Sequence, residues 1–275
     1  LFAQAHLFRA KKDFRSASAR SRDAFALAPQ NREVELEYYV SNGRILFSSG
    51  YDISAIVWLE KAEAVSNTIP RSSLHLEMLR FLSLAWQSKF NYGKAISYSQ
   101  KLVDASQNSE FKFRYRQALY EYGNLLSAAG QEQRAKTMYE KGLNLALSAK
   151  DDTQSSIFLS TLLLNALYQN DLTTAEKHVR TLAELDKSKS FEYDVILGHA
   201  IINALQDNAG ESERQFFRLE TMKTSSNFVV PYWKATIAER KHNWEKLIEL
   251  SEILLRLAEK ENFRENLPHF YLMLA

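Results

Sequence analysis

His75-Leu76-Glu77 has the form with which a zinc deaminase site begins: a histidine ligand, then a glutamate two residues on to move the proton. Such a site also needs downstream cysteines as ligands, and this chain of 275 residues contains none. The same absence removes disulfides, thiolate zinc sites and cysteine nucleophiles. The six histidines are His6, His75, His178, His199, His242 and His269, and no two stand three to five residues apart, the spacing of a helical metal pair. They read as surface or groove histidines. No glycine-rich dinucleotide loop, phosphate loop or Gly-x-Ser-x-Gly elbow occurs. Carboxylate pairs such as Asp151-Asp152 fall in turn-like stretches, where capping a helix explains them more simply than acid–base chemistry. The sequence therefore predicts no catalytic residue, no metal and no cofactor.

Two basic stretches could serve a different chemistry. "FKFRYR", Phe111 to Arg116, alternates rings with cations, as a surface that stacks bases and neutralises phosphates would. Near the N-terminus, Arg9, Lys11, Lys12, Arg15, Arg20 and Arg22 face only Asp13. Yet the formal net charge is only +2, so there is no bulk attraction to nucleic acid or membrane. The simpler reading makes "FKFRYR" the start of a helix with some rings in the core and its cations reaching outward. The N-terminal cations then form a solvated helix face.

What must position these residues is helical. Glycine (8) and proline (4) are scarce, which argues for long helices and short connections. A hydrophobic content of 45% supports a sizeable core. The longest apolar runs, such as Ile157 to Leu159 and Leu162 to Leu164, are far below the roughly 20 residues of a membrane span. The composition fits a reducing cytoplasm or a bacterial periplasm. No initiator Met begins the chain, and it ends in the uncapped apolar stretch "HFYLMLA". Both features predict a fragment of a longer protein.

The chain repeats. Ala17, Ala55, Ala95, Ala135 and Ala175 recur in equivalent settings at spacings of 38, 40, 40 and 40, and Ser212 and Leu247 extend the series. Twelve residues before these anchors stand Ala5, Gly43, Ser83, Gly123, Leu163, Ala200 and Ala235, nearly all small. Three before them stand Phe14, Asp52, Tyr92, Glu132, Leu172, Ala209 and Trp244. Small residues at fixed places let two helix backbones approach closely. Each unit therefore reads as a helical hairpin, with Gly50 and Gly130 as left-handed turn residues. A single hairpin cannot bury both apolar faces, so stacking completes the core.

This pattern resembles the tetratricopeptide repeat. The first unit, "AHLFRAKKDFRSASARSRDAFALAP", shows it through Ala5, Phe8, Phe14, Ala17, Ala24 and Pro29, and the third and fourth units also carry it. Departures are the missing terminal proline after the first unit, leucine at two small sites, and a period above the usual 34 residues. The resemblance implies an all-α, α–α superhelix: one solenoid domain over residues 1–275, of about seven hairpins and part of an eighth. The units fall at roughly 1–31, 32–70, 71–109, 110–150, 151–188, 189–225, 226–262 and 263–275.

In this family, ligands usually lie on the concave face lined by each unit's first helix. The positions that would share that face include Arg44 and Phe47, then Arg80 and Gln87, then Tyr120 and Asn124. Arg44 and Arg80 could grip a carboxylate, and Asn124 could bond a peptide backbone through both donor and acceptor. In the fifth and sixth units the same positions carry Leu164, Leu167, Leu197 and Ile201, an apolar contact patch if exposed and core if the superhelix curls tightly. The expected function is a non-catalytic protein- or peptide-binding scaffold. The resemblance further implies a sensory or regulatory region of a larger bacterial signalling protein, with an output domain such as a diguanylate cyclase or histidine kinase. Alternatives are a self-assembly module joined through the apolar half, which would make a homo-oligomer, and a nucleic-acid-binding repeat, which the balanced charge disfavours.

Overall fold

A computed structural model of the chain describes residues 1–68, 72–107, 112–222 and 227–260. Among these residues there are fourteen helices and no strands. They are α1 (Phe2–Ala10), α2 (Phe14–Leu27), α3 (Arg32–Ser48), α4 (Asp52–Ser66), α5 (Ser73–Ser88), α6 (Tyr92–Gln107), α7 (Lys112–Ala128), α8 (Glu132–Ser148), α9 (Asp152–Tyr168), α10 (Leu172–Leu185), α11 (Glu192–Leu205), α12 (Ala209–Thr221), α13 (Val229–Arg240) and α14 (Trp244–Lys260). Consecutive odd and even helices pair as hairpins. The expected partial eighth unit, 263–275, and Phe111 lie outside the described residues. No described helix is long and apolar enough to cross a membrane. The chain divides into two compact units, Leu1–Gly142 and Leu143–Ala275.

The repeat is written into the backbone at the turn inside each hairpin. Lys12, Gly50, Phe90, Gly130, Asn170, Asp207 and His242 all have positive φ, between 55° and 80°, and each stands five residues before an anchor of the series. The next residue often caps the second helix. Asp13, Asn91, Asp171 and Asn243 each accept the backbone N–H three residues on, at 3.1 Å. Glycine holds the left-handed position without strain, and Asn, Asp and His tolerate it. Phe90 does not, and its side chain is 78% exposed, so packing offsets nothing. A left-handed non-glycine residue costs ~1–2 kcal/mol. Glycine gives back ~0.4–1 kcal/mol through the freer unfolded chain. Phe90→Gly should therefore raise stability by about 0.5–1 kcal/mol, read from the urea midpoint.

The small anchors are where hairpin helices meet. Ala17, Ala55, Ala95, Ala135 and Ala175 are fully buried. Opposite them the close approach is built pairwise. A methyl on Gly43 would lie 2.6 Å from Leu59, and one on Gly123 would lie 2.3 Å from the Tyr139 ring. The equivalent pairs in the third and fifth hairpins are Ser83 with Ser99 and Leu163 with Val179. Where leucine replaces the small residue, the room is found on the next odd helix, α11: a methyl on Gly198 would meet Leu163 at 2.9 Å and Val179 at 3.0 Å. This accounts for one of the departures from the repeat pattern. Serine works at these places because its hydroxyl bonds across the hairpin. Ser83 Oγ donates to the Ala95 carbonyl at 3.0 Å, and Ser212 Oγ donates to the Ala200 carbonyl at 2.8 Å.

In the first unit the core is built on Leu36, Leu59, Met78, Leu82, Leu119 and Leu126. The main core of the second gathers Leu159, Leu163, Val179, Leu182, Ile201, Phe216 and Trp233. A smaller cluster, including Leu247, Leu250 and Leu254, joins α13 to α14.

Candidate functional site

An odd-numbered helix in the middle of the first unit packs against its own hairpin partner and against helices on both sides. Most of its circumference is thereby buried. In α5, Leu76, Met78, Leu79, Phe81, Leu82, Ser83 and Ala85 are all enclosed. On α5 the partly open stripe carries Glu77, Arg80, Leu84 and Gln87, mostly polar residues.

Ion pairs tie this stripe to α3 and α7. Arg44 of α3 donates to Glu77 of α5. Arg80 of α5 reaches Glu121 of α7, with Nε 2.8 Å from both carboxylate oxygens and Nη2 2.6 Å from Oε1. Gln117 donates to the same carboxylate at 2.9 Å. Between the two arginines lies the ring of Phe81, with the guanidinium carbons 5.3 Å (Arg44) and 5.8 Å (Arg80) from its centroid. Phe47 meets this ring edge-on at 5.9 Å. The result is an aromatic platform clamped by two cations, each worth ~0.5–2 kcal/mol as a cation–π contact.

Two expectations change here. Arg44 and Arg80 do not wait free for an outside carboxylate, because each already holds a glutamate of the next odd helix. Arg44 is also the more enclosed, its side chain 11% exposed against 38% for Arg80. Asn124 is exposed, but its Oδ1 already accepts the Tyr139 hydroxyl at 2.8 Å, which leaves its amide hydrogens as the part not used in that bond. Tyr120 is half-buried with its ring tilted over Tyr139 at 6.2 Å. Gln87 and Phe47 are half-buried on the same helices. Sequence reasoning missed Phe81 and Glu121. Their contacts, Phe81 with Phe47 and Glu121 with Arg80, join residues 34 and 41 apart in the chain, beyond any local periodicity.

At the α1 end, the donors Arg9 Nε and Arg44 Nε are buried without a partner among the described residues. Burial and then the Arg44 charge hold His6 below its ordinary range. Burial first, and then the Glu77 charge, push the Glu37 carboxyl up. The folded chain thus holds the Glu37 proton more tightly than the unfolded chain. The stability linked to Glu37 is full in acid and is lost as pH rises from the ordinary glutamate range through the raised value. Glu37→Gln should therefore be the more stable protein at neutral pH, and the gap should close on acidification. Urea midpoints of both proteins between about pH 4 and pH 7 check this.

The second unit corrects the apolar half of the expected face. Leu167, Leu197 and Ile201 are core residues, 0%, 3% and 0% exposed, and only Leu164 keeps partial exposure. The reason is a wide apolar face: α11 buries Ile196, Leu197, Gly198, Ala200, Ile201, Ile202 and Ala204, as a helix packed by neighbours on several sides does. Arg240 of α13 covers the end of α9, donating to the carbonyls of Leu167 and Tyr168 at 2.9 Å each. Tyr168 lies 4.6 Å from the Trp233 ring.

Other motifs resolve structurally. In "FKFRYR", Tyr115 and Arg116 are both buried, so Arg116 does not reach outward as expected, while Lys112 and Phe113 are exposed. Asp151 caps α9 by accepting the Gln154 N–H at 3.0 Å. The Ser66 hydroxyl lies 2.6 Å from His75 Nδ1, as in a nucleophile–base pair, but Ser66 is buried, out of reach of a substrate.

No protein-family model matches this sequence, and no curated protein matches it. Solved structures do match. The apo form of RapI aligns with 99% of this chain and 82% of its own, at 13% identity and a TM-score of 0.75. A tetratricopeptide repeat protein from Parabacteroides merdae covers 99% of this chain and 95% of its own, at 14% identity and a TM-score of 0.66. The apo quorum sensor NprR from B. thuringiensis covers 99% and 85%, at 12% identity and a TM-score of 0.62. The chain has the fold of tetratricopeptide-like α-solenoids.

Proposed function

We propose that the open stripes of α3, α5 and α7 form a binding face for a peptide or protein segment. On this reading the chain is the sensory or regulatory region of a larger bacterial signalling protein, with an output domain such as a diguanylate cyclase or histidine kinase. The observation that carries it is the pre-set polar face of the first unit. Arg80 is fixed beside the Phe47–Phe81 platform by its ion pair with Glu121, Asn124 is held by Tyr139, and Arg80, Gln87 and Asn124 all keep accessible polar groups before any ligand arrives. Such preorganisation lowers the ordering cost of binding an extended chain. Backbone groups of that chain would meet the Asn124 and Gln87 amides. The likeness to a quorum sensor is consistent with a sensory role.

The self-assembly reading loses Leu167, Leu197 and Ile201, on which its apolar contact rested. The nucleic-acid reading loses Tyr115 and Arg116 to the core. Selecting a random-peptide display library on the purified chain tests the proposal. Gln87→Ala should weaken a selected peptide about tenfold, ~1.4 kcal/mol, at unchanged thermal stability, and Asn124→Ala should weaken it as much while also costing ~1–3 kcal/mol of stability, since it leaves the buried Tyr139 hydroxyl without its acceptor. Unchanged affinity in both variants would place the binding face elsewhere.

A further inference from the structure

The even-numbered helices begin, at equivalent repeat positions, with Phe14, Asp52, Tyr92, Glu132, Leu172, Ala209 and Trp244. Only α12 begins with a methyl group. Beside Ala209, among the described residues, a cavity of about 260 Å³ opens between α12, α13 and α14. Its apolar walls include Ala204, Phe216, Ile237 and Leu250, and the ammonium-bearing side chains of Lys234, Lys241 and Lys246 join them.

Three cations against one lining carboxylate, Glu213, around a largely apolar hollow set a specific chemistry. Lys234 is the most enclosed of the three, and its ammonium lies 5.2 Å from the centroid of the Phe216 ring. Its contacts with Glu213 and Glu220 are long, 3.3 and 3.4 Å. Lys241 pairs with Asp207 at 2.5 Å, and Lys246 pairs with Glu249 at 2.8 Å. All four carboxylates are exposed, and exposed pairs contribute only ~0–1 kcal/mol each. They do not commit the lysines. The hollow is also smaller than the ~300–1,000 Å³ clefts that hold drug-sized ligands.

We propose that this cavity binds a small organic anion: a carboxylate carried on an aromatic or branched aliphatic body. The carboxylate sits among the three ammonium groups, which act as point charges and need no fork geometry. The body lies against Phe216 and Ile237, in the space that a large residue at position 209 would fill. The site is separate from the peptide face, since its lining runs from the end of α11 to α14.

Amide NMR shifts of the chain, titrated with benzoate, phenylacetate and isovalerate and with their neutral amides, test this. At least one carboxylate should shift α12–α14 resonances saturably, and its amide should bind about tenfold more weakly or not at all. Ala209→Phe should abolish the shifts while keeping a folded spectrum. Lys241→Met, or Lys246→Met should that variant not fold, should weaken binding about tenfold. The proposal is overturned if none of the three carboxylates shifts these resonances, if the amides bind equally well, or if binding survives in folded Ala209→Phe.

Discussion

Gly123→Leu is expected to lower the free energy of unfolding by about 3 kcal/mol, and Gly123→Ala by about 1–2 kcal/mol, the overpacking range. In an open helix the same glycine-to-alanine change would stabilise by ~1 kcal/mol, so the sign itself is diagnostic. It reverses because the new methyl would sit 2.3 Å from the Tyr139 ring. That ring is buried, and its hydroxyl is held by Asn124, so it has no easy escape. The repeat supplies the compensating change. In the equivalent place Leu163 stands opposite Val179. Tyr139→Val alone should cost about 2–4 kcal/mol as a large-to-small core change. Gly123→Leu with Tyr139→Val should cost less than the two single losses combined, by a coupling of ~1–3 kcal/mol. Simply additive urea-unfolding losses would mean that the two positions do not define the hairpin contact.

Leu197→Ala and Ile201→Ala should each destabilise by about 2–5 kcal/mol, the cost of emptying a core site. On an exposed binding face the same truncations would change stability by no more than ~0.5 kcal/mol. The two outcomes separate core from contact patch for positions whose repeat register alone leaves both open. Denaturant unfolding at neutral pH gives the answer, and losses under ~0.5 kcal/mol would return these side chains to the surface.

These residues also mark how far the sequence could be read. The hairpins were legible because the small anchors recur at nearly constant spacing, and Gly50 and Gly130 announce two turns directly. The other left-handed turn residues were not legible: Lys12 and Phe90 occupy a conformation their types disfavour, imposed by the hairpin around them. The polar face of the first unit was half legible. Helical spacing placed Arg44, Arg80 and Asn124 on open stripes, but not that Glu77, Glu121 and Tyr139 already hold them. In the second unit equal register led to unequal exposure. Phe47 and Gln87 keep partial exposure where Leu167 has none, because Leu167 is packed into the main core of the second unit.

The face proposed for peptide binding is the open side of α3, α5 and α7. Its most direct test is hydrogen–deuterium exchange of the chain with and without a peptide selected from a random library. Added protection centred on α3, α5 and α7, around Gln87 and Asn124, is the result expected. Protection confined to the even-numbered helices α4, α6 and α8, or a library that yields no binder, would contradict it.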